Sequence, residues 1–224
     1  ISASKERADN MSIFLQKLII DTPWLLHLRP KSDDARWSRV SFDVLCSPHQ
    51  APSVKSVGIT GQLTGSRADL MILDDIEVPG NSMTELMREK LLQLCTEAES
   101  ILTPKDESRI LFLGTPQTTF TIYRKLAERN YRPFVWTARY PRKKENYEGL
   151  LAPQLQEDID NGAEPWTPTD SDRFDDLDLL EREASMGRSN FMLQFMLDTS
   201  LSDAEKFPLK MADMVVTSVN PTDA

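Results

Sequence analysis

Apolar residues recur at helical spacing near the start of the chain. The recurring positions are Ala8, Met11, Phe14 or Leu15, and Leu18. Steps of three and four residues place side chains on one face of an α-helix. Ser4 can cap the first turn of this helix, and Thr22-Pro23 ends it. Residues 1–4 are therefore interpreted as the last step of a strand followed by a helix cap.

Further along, short apolar runs alternate with helical segments. Residues 70–73 and 110–113 are continuous apolar runs, which predicts two fully buried strands. Helices are predicted at about 83–101 and 119–129, and another strand at 134–136. The first of these helices has Leu86, Leu91, Leu94 and Ala98 on one side. Because such alternation indicates parallel strands joined by right-handed crossovers, the predicted fold class is α/β.

Weaker patterns flank this middle region. Apolar residues alternate over 40–44 and again over 57–59, which predicts two strands joined by a loop. After Pro141 the chain is charged and rich in proline to residue 172, and a helix is predicted from about 175 to 187. Its inward residues are predicted to be Leu177, Leu180 and Ala184. Phe191, Phe195 and Leu197 add an apolar face, so this region is predicted to be a small helical subdomain.

The composition of the chain indicates a folded protein. It has 224 residues, of which 40% are apolar, enough to bury a core and offset the entropy lost on folding. Its apolar runs are far shorter than the roughly 20 residues that cross a bilayer, so no membrane partner is expected. The chain starts at Ile1 with no basic-then-apolar leader, which argues against a secretory precursor and suggests a piece of a longer protein.

Cysteine and histidine are too scarce to indicate a metal centre. Cys46 and Cys95 cannot form a disulfide framework, and they favour a reducing intracellular setting. Cys46 and His49 are close enough in sequence to be two zinc ligands. Since the chain has two cysteines and two histidines in all, ordinary packing is the favoured interpretation.

Charge is unevenly distributed along the chain, whose net charge is −9. Residues 124–144 carry eight basic side chains and one acidic one, and are called the basic block below. Residues 157–188 carry eleven acidic side chains and three basic ones. A basic segment can contact nucleic-acid phosphates, and an acidic one can contact a partner's basic face. Both could equally be solvated surface.

The strongest candidate for chemistry is a group of carboxylates at the end of the predicted strand 70–73. Asp74, Asp75 and Glu77 come after it, and open α/β sheets bind ligands at the carboxyl ends of their strands. One carboxylate there can hold Mg²⁺ on substrate phosphates, and its neighbour can deprotonate an attacking water. This is the magnesium-and-base element of a P-loop ATPase. The alternative is that the acids only begin a turn.

Two nearby segments could complete such a site. Thr115 and Gln117 follow the next predicted strand, where a polar side chain could sense the γ-phosphate. Arg67 lies seven residues before Asp74, after a segment framed by glycines. An arginine there could neutralise charge on a phosphate in its own subunit or in a neighbour's. Equally, Arg67 could pair with nearby acids.

Taken together and in order, several motifs resemble the large terminase subunits of short-tailed bacteriophages. The resemblance is carried by residues 2–9, 53–69, 74–75, 113–117 and 191–197. It implies an ATPase domain with a P-loop NTPase-type parallel sheet flanked by helices, then a lid or linker subdomain, then a ribonuclease-H-like nuclease domain. The corresponding segments would be 1–145 for part of the ATPase domain, 146–200 for the lid or linker, and 201–224 for the lead-in to the nuclease.

The resemblance also implies roles for individual residues. Asp74 matches the family's magnesium carboxylate, and Asp75 occupies the position of its catalytic acid. Many members have glutamate there, so the shorter Asp75 leaves room for Glu77 to share the role of base. Arg67 falls near an arginine finger that acts between neighbours in a ring.

The motif at 113–117 is similar to the one that couples hydrolysis to DNA movement, with Thr115 or Gln117 sensing the phosphate. The implied activity is ATP- and Mg²⁺-dependent translocation of double-stranded DNA into the procapsid, the intact protein also cutting concatemeric DNA. The implied partners are DNA bound without sequence preference, the portal protein, the small terminase subunit and further copies in a ring. The implied location is the host-cell cytoplasm, at the portal vertex.

The chain departs from the family pattern in what it lacks. No Gly-Lys-Ser/Thr phosphate loop occurs in the sequence, and this loop is expected upstream of Ile1. The nuclease carboxylates are expected downstream of Ala224. Because the loop would hold the β- and γ-phosphates, this chain alone is expected to hydrolyse ATP negligibly.

Three other functions stay open at this point. Another P-loop translocase, such as a helicase-like motor, would share the acidic strand and the Gly-Thr strand end. A two-metal nuclease could use Asp74, Asp75 and Glu77. Adjacent residues of an extended strand point to opposite faces, but a turn starting at Asp74 would remove that objection. A non-catalytic interaction module is the third possibility.

Overall fold

The computed structural model describes residues 1–31, 35–45, 50–63, 65–118, 120–147 and 149–198. These residues form two compact units, one from residue 1 to 115 and the other from residue 116 onward. Among the described helices, none combines the length and the apolar character needed to span a membrane. The predicted boundaries at 145 and 200 stay predictions, and Cys46, His49 and residues 201–224 lie outside the described residues.

The first unit mixes helices with short strands. In chain order its elements are α1 (Lys5–Asp21), a 3₁₀ segment (Pro23–Leu28), β1 (Ser41–Phe42), β2 (Val54–Lys55), β3 (Leu70–Asp74), α2 (Pro79–Ser82), α3 (Glu85–Glu99) and β4 (Arg109–Leu113). The second unit is mainly helical. Its elements are α4 (Ile122–Ala127), a 3₁₀ segment (Lys144–Tyr147), α5 (Pro153–Asp160), α6 (Asp176–Met186) and α7 (Arg188–Gln194).

Parallel pairing organises the first unit, as the sequence predicted. β3 and β4 are parallel, with Leu70 opposite Arg109 and Asp74 opposite Leu113, and α3 lies between them in the chain. Ser2 forms parallel bridges with both Gly58 and Asp74, so residues 1–2 are the end of a strand. β1 and β2 form a separate antiparallel pair. The mixed α/β class is therefore confirmed.

The prediction of fully buried strands is wrong, because β3 and β4 each have one exposed face. Met71 and Leu73 are buried, whereas Ile72 is 43% exposed. On β4, Leu111 lies opposite Ile72 and Leu113 lies opposite Asp74. Both leucines are about half exposed. Asp74 follows the same alternation as Ile72, so it lies on the exposed face of the pair.

Helix α1 also exposes the stripe that its spacing singled out, except for Ala8. Met11 and Phe14 are half exposed, and the buried positions are Ala8, Asp9, Ser12, Gln16 and Ile19. Polar contacts hold this unexpected face inward, since the Gln16 side chain donates to the Ser38 carbonyl at 3.1 Å. Helix α3 keeps much of its predicted face: Leu91 and Ala98 are buried, although Leu86 is 75% exposed. Leu92 and Cys95 are buried beside them.

The first half of the second unit differs from its prediction. Residues 134–136 form no strand beyond a single parallel bridge between Val135 and Leu151. Helix α4 is shorter than predicted, and the sequence did not indicate α5, whose Leu155 is fully buried. The predicted start of α4, Thr119, lies outside the described residues.

One buried cation fixes the rotation of helix α6. Arg139 is 1% exposed, and its guanidinium donates to the Asp176 carboxylate and, at 2.6 Å, to the Trp166 carbonyl. Asp176 and Leu179 are three residues apart and so share a helix face. The ion pair of Asp176 with Arg139 therefore turns Leu179 inward. Leu179 is fully buried, whereas Leu180 is 50% exposed.

The predicted inward face of α6 is therefore wrong, although its bounds are confirmed. Leu177 and Ala184 are exposed together with Leu180. The core cluster that Leu179 joins consists of Phe191, Met192 and Met196, with Phe195 stacked on Phe191 at 5.2 Å between ring centroids. Because Arg139 is buried, its charge is not available at the surface of the basic block.

Two adjacent leucines of α6 test which face is buried. We expect Leu179→Ala to lower the free energy of unfolding by about 3 kcal/mol, because it empties space in a closed apolar cluster. Leu180→Ala should change it by less than about 0.5 kcal/mol. Urea unfolding followed by circular dichroism measures both variants. Equal losses, or the larger loss at Leu180, would contradict the observed rotation.

Candidate active site

The predicted acidic residues lie at the C-terminal end of β3. Asp74 is the last residue of the strand, and its N–H donates to the Ile1 carbonyl at 2.8 Å. The N–H of Asp75 donates to the Leu113 carbonyl at 2.9 Å. Both backbones are therefore fixed by neighbouring strands, while the two carboxylates lie at the edge of the sheet and are partly exposed.

The chain turns sharply at Asp75. Its φ is 46°, in the left-handed region that is uncommon for residues other than glycine. Successive residues of an extended strand point to opposite faces, but this turn interrupts the extended conformation. Asp74 and Asp75 consequently line the same cavity.

This cavity lies between helix α1 and the end of β3. It is open to solvent and has a volume of about 400 Å³. Its lining consists of Asp74, Asp75, Arg7, Asn10, Met11 and Phe14. A guanidinium nitrogen of Arg7 lies 3.8 Å from an Asp75 carboxylate oxygen. The sequence pattern did not indicate these α1 residues, because the bridge between Ser2 and Asp74 is what brings them to the acids.

The other predicted site residues of the first unit occupy different positions. Glu77 is 1% exposed and does not line the cavity. Thr115 comes two residues after Leu113, the register partner of Asp74. Arg67 precedes β3 in the chain and does not line the cavity. Its side chain is exposed and donates to the Ser66 carbonyl at 3.3 Å.

Neither of the predicted roles is tested by these positions. The role of Arg67 towards a phosphate, in its own subunit or in a neighbour's, stays a prediction. Gln117 belongs to the second unit, and its role as a sensor also stays a prediction.

The donor set at the strand end fits a hard cation such as Mg²⁺. Asp74 and Asp75 offer carboxylate oxygens at a cavity with room for water and phosphate, and Mg²⁺ is commonly held by one or two carboxylates with such ligands. Throughout the described ranges, no group of three or more His, Cys, Asp or Glu side chains could hold a metal by itself. Asp74, Asp75 and Glu77 lie within these ranges and do not form such a group, and their role in a two-metal nuclease stays an untested alternative.

A polar network anchors α1 beside this site. The Asp9 carboxylate accepts hydrogen bonds from Ser56 Oγ and from Lys5 Nζ, each at 2.6 Å. Burial raises the pKa of Asp9, but these hydrogen bonds and the charges of Lys5 and Arg39 lower it, and the resulting pKa lies below its ordinary value. Asp9 therefore connects α1 to the segment that precedes Gly58.

Comparison with known proteins confirms the resemblance to terminases. The chain is 50% identical, over 98% of its length, to the large subunit of the terminase of Enterobacteria phage T3. It spans 39% of the length of that curated relative. No family model matches the chain.

The contacts of Asp9 predict a pH dependence of stability. At neutral pH we expect Asp9→Asn to lower the free energy of unfolding by about 2 kcal/mol, because it weakens two charge-assisted hydrogen bonds. A lowered pKa in the folded state stabilises the protein above the unfolded pKa of about 4, and this stabilisation is lost as the pH falls through the folded value. The difference between wild type and variant should therefore shrink as urea unfolding is repeated from pH 6 to pH 3. A constant difference would contradict this role.

Proposed function

We propose that this chain, a homologue of terminase large subunits over nearly its whole length, carries the ATP-hydrolysing acids of a DNA-packaging motor. The observation that carries the proposal is the pair Asp74 and Asp75, which line one cavity at the C-terminal end of a parallel strand. Ligands bind at this edge in open α/β sheets. The finer fold assignment, a P-loop NTPase-type sheet with a lid, belongs to the same proposal.

Asp74 and Asp75 have separate tasks in this proposal. Asp74 would hold Mg²⁺, which when bound neutralises negative charge on the phosphates of ATP. Asp75 orients the attacking water and accepts its proton. As the water oxygen bonds to the γ-phosphorus, the bond from that phosphorus to the bridging oxygen breaks, and ADP and phosphate are released.

Asp75 is favoured over Glu77 as the base. Asp75 lines the open cavity and its side chain is 50% exposed, so water can reach its carboxylate. Glu77 is buried outside that lining. Thr115 or Gln117 would sense loss of the γ-phosphate, and Arg67 would act on the phosphate of a neighbouring subunit.

The similarity to a terminase large subunit supports a proposal for the wider function. In the intact large subunit, we propose that hydrolysis drives double-stranded DNA into a procapsid, with the portal protein and the small terminase subunit as partners and further copies in a ring. Cutting of concatemeric DNA would be done by a nuclease domain of the intact subunit, acting in the host-cell cytoplasm at the portal vertex. The alternatives are another P-loop translocase and a non-catalytic interaction module.

Substitution of Asp75 tests the ATPase proposal. In the intact large subunit with double-stranded DNA present, we expect Asp75→Asn to lower kcat for ATP hydrolysis by at least about 100-fold, since the general base is lost. Binding of ATP should change little, because the amide keeps the size of the side chain. Phosphate release and the fluorescence of a bound ATP analogue measure the two effects.

A matched control separates this role from a general loss of charge. Asp106→Asn removes one carboxylate from the exposed loop before β4, at the opposite end of the strand pair, and should keep wild-type activity. If Asp75→Asn stays active while Glu77→Gln does not, Glu77 is the base. If the wild type itself is inactive with DNA, the interaction-module alternative is favoured.

The basic block is the proposed DNA contact, at Arg142, Lys143 and Lys144. Arg142 stacks 4.7 Å above the Trp166 ring, and Lys144 donates to Asp160 at 2.9 Å, so both positions are at the surface but engaged. DNA contacts would have to compete with these partners.

The salt dependence of DNA binding tests this contact. Replacing Arg142, Lys143 and Lys144 by glutamine should reduce the slope of log K against log salt by about 2.7, because each of the three phosphate contacts contributes about 0.9. The control replaces Lys17, Lys31 and Lys90, three exposed lysines of the first unit, and should leave the slope unchanged. An unchanged slope in the first variant would contradict the proposed contact.

A further inference from the structure

Arg7 lies beside the two acids although the sequence motifs assigned it no role. It is the third residue of α1, which begins shortly after Ser2. The parallel bridge between Ser2 and Asp74 places this first helical turn next to the end of β3. The Arg7 guanidinium consequently lies 3.8 Å from the Asp75 carboxylate, and both side chains line the cavity.

Helix stability does not explain an arginine at this position. The N-terminus of a helix carries partial positive charge, so a cation in the first turn is unfavourable. The contact with Asp75 is also a poor source of fold stability, because the two side chains are 60% and 50% exposed and solvent screens the pair. Arg7 is therefore better explained by what it does to Asp75.

The backbone of Asp75 is fixed, but its carboxylate has freedom. The left-handed turn and the hydrogen bond to the Leu113 carbonyl hold the backbone in place. A half-exposed aspartate side chain can still occupy several rotamers. A neighbouring cation that attracts the carboxylate restricts this freedom and favours the orientation towards the cavity.

We propose that Arg7 is a positioning residue that holds the Asp75 carboxylate ready to accept a proton from the attacking water. This proposal rests on the proposed ATPase function and adds a residue to that site. Arg7 acts through Asp75 and does not touch the reacting atoms. Its loss should therefore lower the rate of the chemical step and leave ATP binding nearly unchanged.

The first experiment separates kcat from KM in the intact large subunit with DNA. We expect Arg7→Gln to lower kcat about tenfold, because the base is misplaced, with KM for ATP within about twofold of wild type. Arg7→Lys keeps the positive charge and should recover most of kcat. Lys17→Gln removes one exposed charge farther along α1 and should leave both constants unchanged. Thermal unfolding of Arg7→Gln should match that of wild type.

A double-mutant cycle shows whether Arg7 acts through Asp75. In an Asp75→Asn background, Arg7→Gln should change the residual rate by less than about twofold, because residues that act as a unit are not additive. An equal loss in both backgrounds would overturn the proposal, as would an increase in KM with kcat unchanged.

The possible failures are distinguishable. An active wild type with an unaffected Arg7→Gln variant would overturn the role of Arg7 and leave the ATPase proposal intact. An inactive wild type would overturn the ATPase proposal and, with it, the role of Arg7.

Discussion

Parallel pairing along β3 is the constraint on which the candidate site depends. Asp74 is bridged to Ser2 on one side and paired with Leu113 on the other. Because parallel strands end at the same edge, the start of α1, the two acids and the approach to Thr115 come together there. Two backbone hydrogen bonds, to the carbonyls of Ile1 and Leu113, fix the acids in this position. Three segments that are distant in sequence thus supply one site.

Buried polar contacts, more than apolar stripes, set how the helices are rotated. Asp9 bonds to Ser56 and holds the polar face of α1 inward, which leaves Met11 and Phe14 exposed to line the cavity. In the second unit, the ion pair between Arg139 and Asp176 determines which face of α6 points inward. A charged group without a partner is costly to bury, so these pairs constrain the fold strongly.

The sequence predicted elements better than it predicted faces. Alternating apolar runs and helical segments indicated the parallel pair of β3 and β4, and the acids at the strand end followed from the same pattern. The run Asp176-Leu177-Asp178-Leu179-Leu180 fits two helix faces equally well, and only the distant Arg139 decides between them. Arg7 could not be predicted for the same reason, because its neighbour Asp75 is 68 positions further along the chain.

The most direct test of the central claim is a structure of the intact large subunit with Mg²⁺ and a non-hydrolysable ATP analogue. The account predicts that the Asp74 carboxylate holds a Mg²⁺ ion beside the phosphates of the analogue. It also predicts the Asp75 carboxylate within hydrogen-bond distance of a water in line with the γ-phosphorus. A nucleotide bound elsewhere, or phosphates with no Mg²⁺ near Asp74, would contradict the account.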